Sequence, residues 1–212
     1  MKRLSTALSV LFALTSSLAL AQTAGGKVED KKAASYNEIE RGFFFEARGG
    51  FSAVINPPAA SGSASYFSPG QAIGIDMGFD IGERISPSLF FLAASNRMGS
   101  DYTGFNTTGA ASGDFSAMTP GAAVKVRLVG FADQQEVKRT WIYLRGGAGV
   151  TFYSPAALLP SIDVLVTAGP GLEYYTRLRH LVIGVEANFN FQALTQSVGF
   201  STLLTVKYAF PL

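Results

Sequence analysis

The stretch that decides the fold is QAIGIDMGFDIG, Gln71 to Gly82. From Ile73 to Ile81 every second residue is large and apolar, and the residues between them are glycine or aspartate, including Asp76 and Asp80. A strict period of two predicts a β-strand, because successive side chains of a strand point to opposite faces. One face of this strand suits an apolar environment, and the other carries carboxylates with little bulk around them.

The beginning of the chain predicts export. Lys2 and Arg3 precede an apolar run, and Ala19-Leu20-Ala21 forms a small-x-small exit site. These features are typical of a secretory signal peptide, here residues 1–21. The alternative is an N-terminal membrane anchor, which the short, serine-containing apolar centre disfavours. Cleavage removes two of the 17 Lys and Arg residues, so the rest balance the 15 Asp and Glu residues. No basic surplus remains, so we expect no nucleic-acid partner.

The composition narrows the class further. Hydrophobic residues make up 48% of the chain and charged residues only 15%, against about 25% charged in soluble domains. The absence of cysteine excludes disulfides, thiolate chemistry and cysteine-based metal sites. Beyond the predicted signal there is no apolar run of about 18 residues, so no transmembrane helix is expected. An exported chain of this kind is typical of outer-membrane β-barrels, in which apolar residues alternate along each strand.

Seven other segments are strand-like, and six of them alternate as 71–82 does. They are 43–55, 88–96, 122–128, 140–152, 162–174, 181–191 and 199–210. The alternation assigns Ala53 and Gly199 to apolar faces, whereas the faces of segment 88–96 stay open. The chain is therefore predicted to be all-β, an eight-stranded antiparallel transmembrane β-barrel, since bacterial barrels have even strand numbers. The alternative is a β-sandwich, whose outward face should be polar and rich in solvated charges.

The polar faces together predict a filled lumen, because an eight-stranded barrel is just wide enough for side chains. Six acids and five bases fall on these faces and form the expected lumen charge network: Glu46, Arg48, Asp76, Asp80, Lys125, Arg127, Arg145, Asp163, Glu173, Glu186 and Lys207. Unpaired buried charge is very costly, so this near-balance predicts ion pairs that fill the barrel. The alternative is a pore lining, which needs a continuous water path.

An even strand number returns both ends of the chain to the periplasm. The domains are then the signal peptide 1–21, a periplasmic tail 22–41 and the barrel 42–212. Periplasmic turns are predicted at 82–87, 130–138 and 176–180, and outer loops at 56–70, 97–116, 154–160 and 192–198. Aromatic residues on the apolar faces predict two girdles. The lower girdle comprises Phe43, Phe79, Tyr174, Tyr208 and Phe210, and the upper one Phe51, Phe152, Phe189 and Phe200. Trp141 falls on an inward position, a misfit that predicts a later start for its strand.

No catalytic, cofactor or metal site is predicted, so the protein is not expected to be an enzyme. The single histidine, His180, falls in a predicted periplasmic turn, where a solvated residue is the default. Asp76 and Asp80 could form a carboxylate pair, but we expect them to meet Arg48 or Lys125 across the lumen. The alternating end of the chain, with Tyr208 and Phe210, resembles the C-terminal insertion signal of outer-membrane barrels, although two residues follow the last aromatic.

The octapeptide SYNEIERG, residues 35–42, precedes the first predicted strand. It resembles the lead-in of a group of outer-membrane barrels from gliding bacteria, some of which belong to the adventurous gliding-motility machinery. The resemblance covers this octapeptide and the barrel layout after it. It implies a barrel in the outer membrane of a Gram-negative bacterium, a component or anchor of a trans-envelope complex. The implied partners are outer-membrane lipid and other envelope proteins. Two alternatives remain: a small passive pore, or a surface adhesion or recognition barrel.

Overall fold

The computed structural model describes residues 39–55, 68–98, 113–155 and 159–210. The predicted signal peptide, residues 22–38 of the predicted tail and parts of three predicted outer loops lie outside the described residues. Within the described ranges there is no helix that could cross a membrane.

The described residues form eight strands closed into one antiparallel barrel. The strands are β1 (Phe43–Val54), β2 (Ser68–Phe79), β3 (Ile85–Met98), β4 (Gly113–Ala132), β5 (Lys138–Ser154), β6 (Ile162–Tyr175), β7 (Leu181–Gln192) and β8 (Ser197–Ala209). Each strand pairs with its neighbours in sequence, and β8 pairs with β1 to close the sheet. The predicted fold class is confirmed, and a closed barrel rules out the sandwich.

The alternation in the sequence separates an apolar outer wall from a polar lumen. Ile73, Leu89 and Leu204 project from the wall and are each about two-thirds exposed, at 68%, 66% and 69%. The inward positions between such residues carry the buried polar and charged side chains. In β3, whose faces the sequence left open, Leu89 points outward and Phe90 inward. Phe90 is accepted in the polar lumen because the Arg145 guanidinium lies over its ring, 5.1 Å from the centroid.

Several predicted boundaries and faces are wrong in detail. β3 and β4 extend past the predicted ends of their connection, which shortens the loop predicted at 97–116. The turns after β2 and β4 are also tighter than predicted. Gly199 is buried on the lumen side, because it shares the parity of Ser201 rather than that of Thr202. Ala53 is only 3% exposed, so it adds nothing to the apolar wall.

The connections divide the barrel into two ends. The start of β1, the end of β8 and three short turns lie at one end, which we call the terminal end. The other four connections lie at the opposite end, the loop end. At the terminal end Gly82 has a φ of +61°, a left-handed conformation that glycine adopts without a steric penalty, and it lets β2 turn directly into β3.

Candidate functional site

The lumen is the candidate functional site, and its charged side chains are buried. All eleven residues predicted to form the lumen charge network are buried in the structure. Ten of them form ion pairs with one another: Glu46, Arg48, Asp76, Asp80, Lys125, Arg127, Arg145, Glu173, Glu186 and Lys207. These ten are five carboxylates and five cations, so the set is electrically balanced. We call it the lumen network.

One part of the lumen network is centred on Asp76. Its Oδ1 accepts a hydrogen bond from Arg48 at 3.0 Å, and its Oδ2 accepts one from Arg145 at 2.9 Å. Arg48 also pairs with Glu186 at 2.9 Å on the opposite side of β1. Asp76 thus meets Arg48, as predicted, whereas Asp80 pairs with Arg127 and Lys207 rather than with Arg48 or Lys125. The alternative of a carboxylate pair does not form, because both carboxylates are occupied by cations.

The other part lies closer to the terminal end and is built around Arg127. This guanidinium pairs with Glu173 and with Asp80, the latter at 3.2 Å. Lys207 Nζ lies 2.6 Å from Asp80, and Lys125 Nζ lies 3.0 Å from Glu46. Each charge of the lumen network thus has at least one opposite charge in contact, which offsets the cost of taking it out of water.

Tyr143 joins the two parts. Its hydroxyl donates to Glu186 at 3.3 Å, and Lys125 Nζ lies 4.5 Å from the ring centroid. The ring lies against Gly171, where a Cβ atom would collide with it. Glycine at this position is therefore a packing requirement of the lumen. Ser86 and Ser88 of β3 donate to Asp80 and Asp76, so every strand contributes to the closure.

Asp163 does not belong to the lumen network, so that prediction is wrong. Its carboxylate accepts hydrogen bonds from the backbone N–H groups of Val164, Leu194 and Thr195 and from the Thr195 hydroxyl. It holds the turn between β7 and β8 at the loop end. Sequence parity placed it correctly on the inner face, but the three donors from Leu194 and Thr195 lie in a distant turn and carry no signal in the local sequence.

At the terminal end, a cluster of large side chains closes the lumen below the network. Trp141, Tyr175 and Val182 pack together, and Ile39 covers them. Trp141 is 1% exposed, and its Nε1–H donates to the Lys138 carbonyl at 3.0 Å. β5 begins earlier than predicted, not later, and Trp141 points inward because its one polar group has a partner.

Residues 39–42, which directly precede β1, lie across this end of the barrel. We call them the terminal strap. The Glu40 N–H donates to the Arg179 carbonyl at 3.2 Å, and the two side chains pair at 2.7 Å. Arg41 donates to the Gly82 carbonyl at 3.4 Å and lies 3.9 Å from Glu83. The strap therefore connects two of the short turns to the first strand.

Towards the loop end, the lumen side chains are small or neutral. Thr119 and Thr151 share a hydrogen bond of 2.9 Å, and Thr167 donates to Asn190 at 2.8 Å. A cavity of about 60 Å³ remains in this half, lined by residues of every strand except β2. The sequence analysis does not predict this cavity, because its lining is neutral and the predicted lumen site consists of charged residues.

All nine predicted girdle residues project from the outer wall. Near the terminal end Phe210 contacts Phe43 and Tyr208, with ring centroids 5.5 and 5.1 Å away. Near the loop end Phe51 and Phe200 form a similar pair at 5.8 Å. The aromatic residues thus lie at both ends of the apolar wall.

His180 lies outside the lumen, in the turn before β7. Its Nδ1 lies 3.1 Å from the Ala209 carbonyl, and its ring packs against Tyr208. Among the described residues no group of three or more His, Asp or Glu side chains is arranged to hold a metal ion.

A closed antiparallel barrel of eight strands with an apolar wall and a charged lumen has the architecture of outer-membrane β-barrels. The crystal structure of Neisserial surface protein A (NspA) aligns with a TM-score of 0.58 and 14% identity, over 82% of this chain and 100% of that one. The outer membrane protein OprG from Pseudomonas aeruginosa aligns with a TM-score of 0.50 and 11% identity, over 82% and 99%. The outer membrane enzyme PagL aligns less closely, with a TM-score of 0.40 and 12% identity over 79% and 99%. No protein-family model and no curated protein matches the sequence. The first two alignments show the fold.

Proposed function

We propose that this chain is a non-enzymatic outer-membrane barrel of a Gram-negative bacterium, and that it acts as a component or anchor of a trans-envelope complex. The apolar wall supports a membrane location. A continuous surface of exposed residues such as Ile73, Leu89 and Leu204 is costly in water and is satisfied by lipid. Closure of the barrel satisfies the backbone groups that no water could reach in lipid.

The observation that carries the proposal is the closed terminal half of the lumen. The five cations and five carboxylates of the lumen network cross this half of the lumen. Trp141 and Tyr175 close it further towards the terminal end. A pore needs a water path past these side chains, and buried ions that pair with one another across the lumen oppose one. The lumen supports a stable membrane anchor better than a conduit.

The terminal strap favours a role in assembly. Ile39 packs against the Trp141 cluster and Glu40 pairs with Arg179, so the segment that joins the tail to β1 is attached to the barrel. The tail is rich in charges of both signs, which suits contacts with other envelope proteins. The resemblance of residues 35–42 to barrels of gliding bacteria makes the gliding-motility machinery the first complex to test.

The non-enzymatic part of the proposal rests on the lumen groups and on His180. The lumen carboxylates are held by cations, and the imidazole is engaged with the Ala209 carbonyl at the rim. A general base needs a free position beside a substrate. The paired lumen carboxylates lack one, and His180 lies at the rim, outside the lumen.

The decisive experiment is gentle purification of a tagged copy from outer membranes. The tag belongs directly after residue 21, which leaves the C-terminal end free for insertion. We expect other envelope proteins to be recovered in a fixed ratio. A matched control lacks residues 23–35 but keeps the tag and the strap; it should insert equally well and lose these partners. A barrel recovered alone after mild crosslinking would overturn the anchor proposal.

Conductance in planar bilayers tests the closed lumen separately. We expect the purified barrel to insert without steady single-channel current. A stable current of uniform amplitude that bulkier lumen side chains reduce would favour a passive pore over a closed anchor.

A further inference from the structure

The loop-end cavity has the features of a binding site and has no role in the anchor proposal. It has a volume of about 60 Å³ and lies inside the barrel wall, between the neutral half of the lumen and the loop end. A single water needs about 10–15 Å³ measured in the same way. The cavity therefore has room for a few waters, or for one small organic solute.

The space comes from side-chain size rather than from a wider barrel. Ala94, Ala117 and Ser201 occupy inward positions around the cavity, where the terminal half has arginine, lysine or tryptophan. Leu92, Phe115 and Leu165 give it an apolar surface. An eight-stranded barrel is either filled by side chains or holds one small ligand. The small residues at these inward positions leave space for a ligand.

One wall includes two amide side chains of β7, which we call the amide row: Asn190 and Gln192. They lie two residues apart and so share the inner face. Asn190 is satisfied, since it accepts from Thr167 and donates to Ser201 at 3.3 Å. Gln192 Oε1 is buried, and no donor of the described residues reaches this oxygen.

The unpaired carbonyl oxygen of Gln192 can accept a hydrogen bond from a ligand in the cavity. A buried acceptor without a partner costs free energy, so a ligand N–H or O–H that reaches it is bound more strongly than one without a donor. The cavity lining contains no Lys, Arg, Asp, Glu or His among the described residues. A charged solute would lose its hydration without gaining a counter-charge, so the site rejects ions.

We propose that the loop-end cavity binds a small uncharged solute that has an apolar part and a hydrogen-bond donor, such as a primary amide or an alcohol. The apolar part contacts Leu92, Phe115 and Leu165, and the donor meets the amide row at Gln192. The site is independent of the anchor proposal, because it uses neither the lumen network nor the tail.

The test is an NMR titration of the mature full-length protein in lipid nanodiscs, with labelled alanine methyl groups. Three probes share one size and differ in chemistry: propionamide is neutral with a donor, methyl acetate is neutral without one, and propionate is charged. Ala94 and Ala117 report on the cavity. Ala148 projects from the outer wall and reports on lipid and solvent effects.

We expect saturable shifts at Ala94 and Ala117 with propionamide and none at Ala148. Methyl acetate should bind about fivefold more weakly, the value of one hydrogen bond, and propionate at least about tenfold more weakly. Shifts that grow linearly, that appear equally at Ala148, or that are the same for all three probes would overturn the proposal and leave a cavity that holds only water.

Two variants locate the site. Gln192→Leu has a similar volume and removes the amide, so propionamide should lose its preference over methyl acetate while methyl acetate still binds. Ala117→Phe fills the cavity and should abolish binding of both. If Ala117→Phe fails to fold, Gln192→Leu decides alone: an unchanged ratio of the two affinities contradicts the assignment of the donor to Gln192.

Discussion

The two halves of the lumen solve the same geometric problem in opposite ways. Near the terminal end, long ionised side chains such as Arg127 and Lys207 reach across the barrel and pair. Near the loop end, short neutral ones such as Thr119 and Asn190 stay close to their own strands and leave a cavity. The same eight strands surround both halves, so side-chain length and charge, not strand number, decide where the barrel is closed.

The difference separates stability from accessibility. Paired charges in the terminal half are strongly interdependent, because removing one leaves its partners buried and unpaired. Hydroxyl and amide groups in the loop half carry no net charge, so removing one should lower the free energy of unfolding by less than removing a charge of the lumen network. Substitutions in the two halves should therefore differ in magnitude.

The largest effect is expected for Arg127→Met, which keeps much of the side-chain length and removes the charge. Glu173 and Asp80 each lose a partner in the buried network. We expect the free energy of unfolding to fall by about 3–5 kcal/mol, as for other broken buried pairs. Urea titration of the barrel in lipid vesicles measures it.

The matched control is Arg97→Met, which removes an exposed pair with Asp114 at the loop end. Both side chains are mostly in solvent, so the expected loss is at most about 1 kcal/mol. Equal losses for Arg127→Met and Arg97→Met would show that the lumen network does not dominate the stability of the terminal half.

A smaller effect is expected for Gly171→Ala. The added Cβ collides with the ring of Tyr143, which joins the two parts of the lumen network. Overpacking of this kind costs about 1–3 kcal/mol in urea titrations. Gly146→Ala is the control, because no heavy atom lies within 4 Å of its added Cβ. A loss as large for Gly146→Ala would attribute the cost to the strand backbone rather than to Tyr143.

The fold was readable from the sequence because every alternating segment carries its own evidence. Parity alone placed Lys125, Glu186 and Lys207 inside the barrel, and all three are buried. The same rule failed where both faces are apolar. In β3, Leu89, Phe90, Phe91 and Leu92 follow one another, so the sequence does not show the inner face. The structure does, because Phe90 is buried under the Arg145 guanidinium and Leu89 is exposed.

The candidate sites were less readable, because they depend on partners distant in sequence. Nothing near Asp163 indicates that it holds the turn at Thr195, and nothing near Trp141 indicates that Lys138 satisfies its indole. The cavity did leave a signal. Asn190 and Gln192 lie two residues apart on one face of β7, and the small residues Ala94 and Ala117 stand at inward positions. These residues lie far apart in the sequence, and only the register of the strands shows that they surround one cavity.

In the loop half, Thr119→Val should cost about 1 kcal/mol, because Thr151 loses its hydrogen-bond partner in a buried site. The double variant Thr119→Val with Thr151→Val should recover most of this loss, since two apolar groups of the same shape replace both partners. A double-mutant cycle on the free energy of unfolding checks the coupling. Strictly additive losses would mean that the two hydroxyls are solvated separately and that this half is wetter than the structure implies.

The smallest effect is expected for Glu40→Gln in the terminal strap, which removes the rim pair with Arg179. Arg179 is partly exposed, so we expect a loss of about 0.2–1 kcal/mol. Salt then sharpens the comparison. At about 1 M NaCl the screening length falls to about 3 Å, so the difference between Glu40→Gln and the wild type should vanish. The Arg127→Met difference should persist, because its partners lie inside the lumen, away from mobile ions. If salt erased both differences, ions would have access to the lumen network, and the terminal half would be open rather than closed.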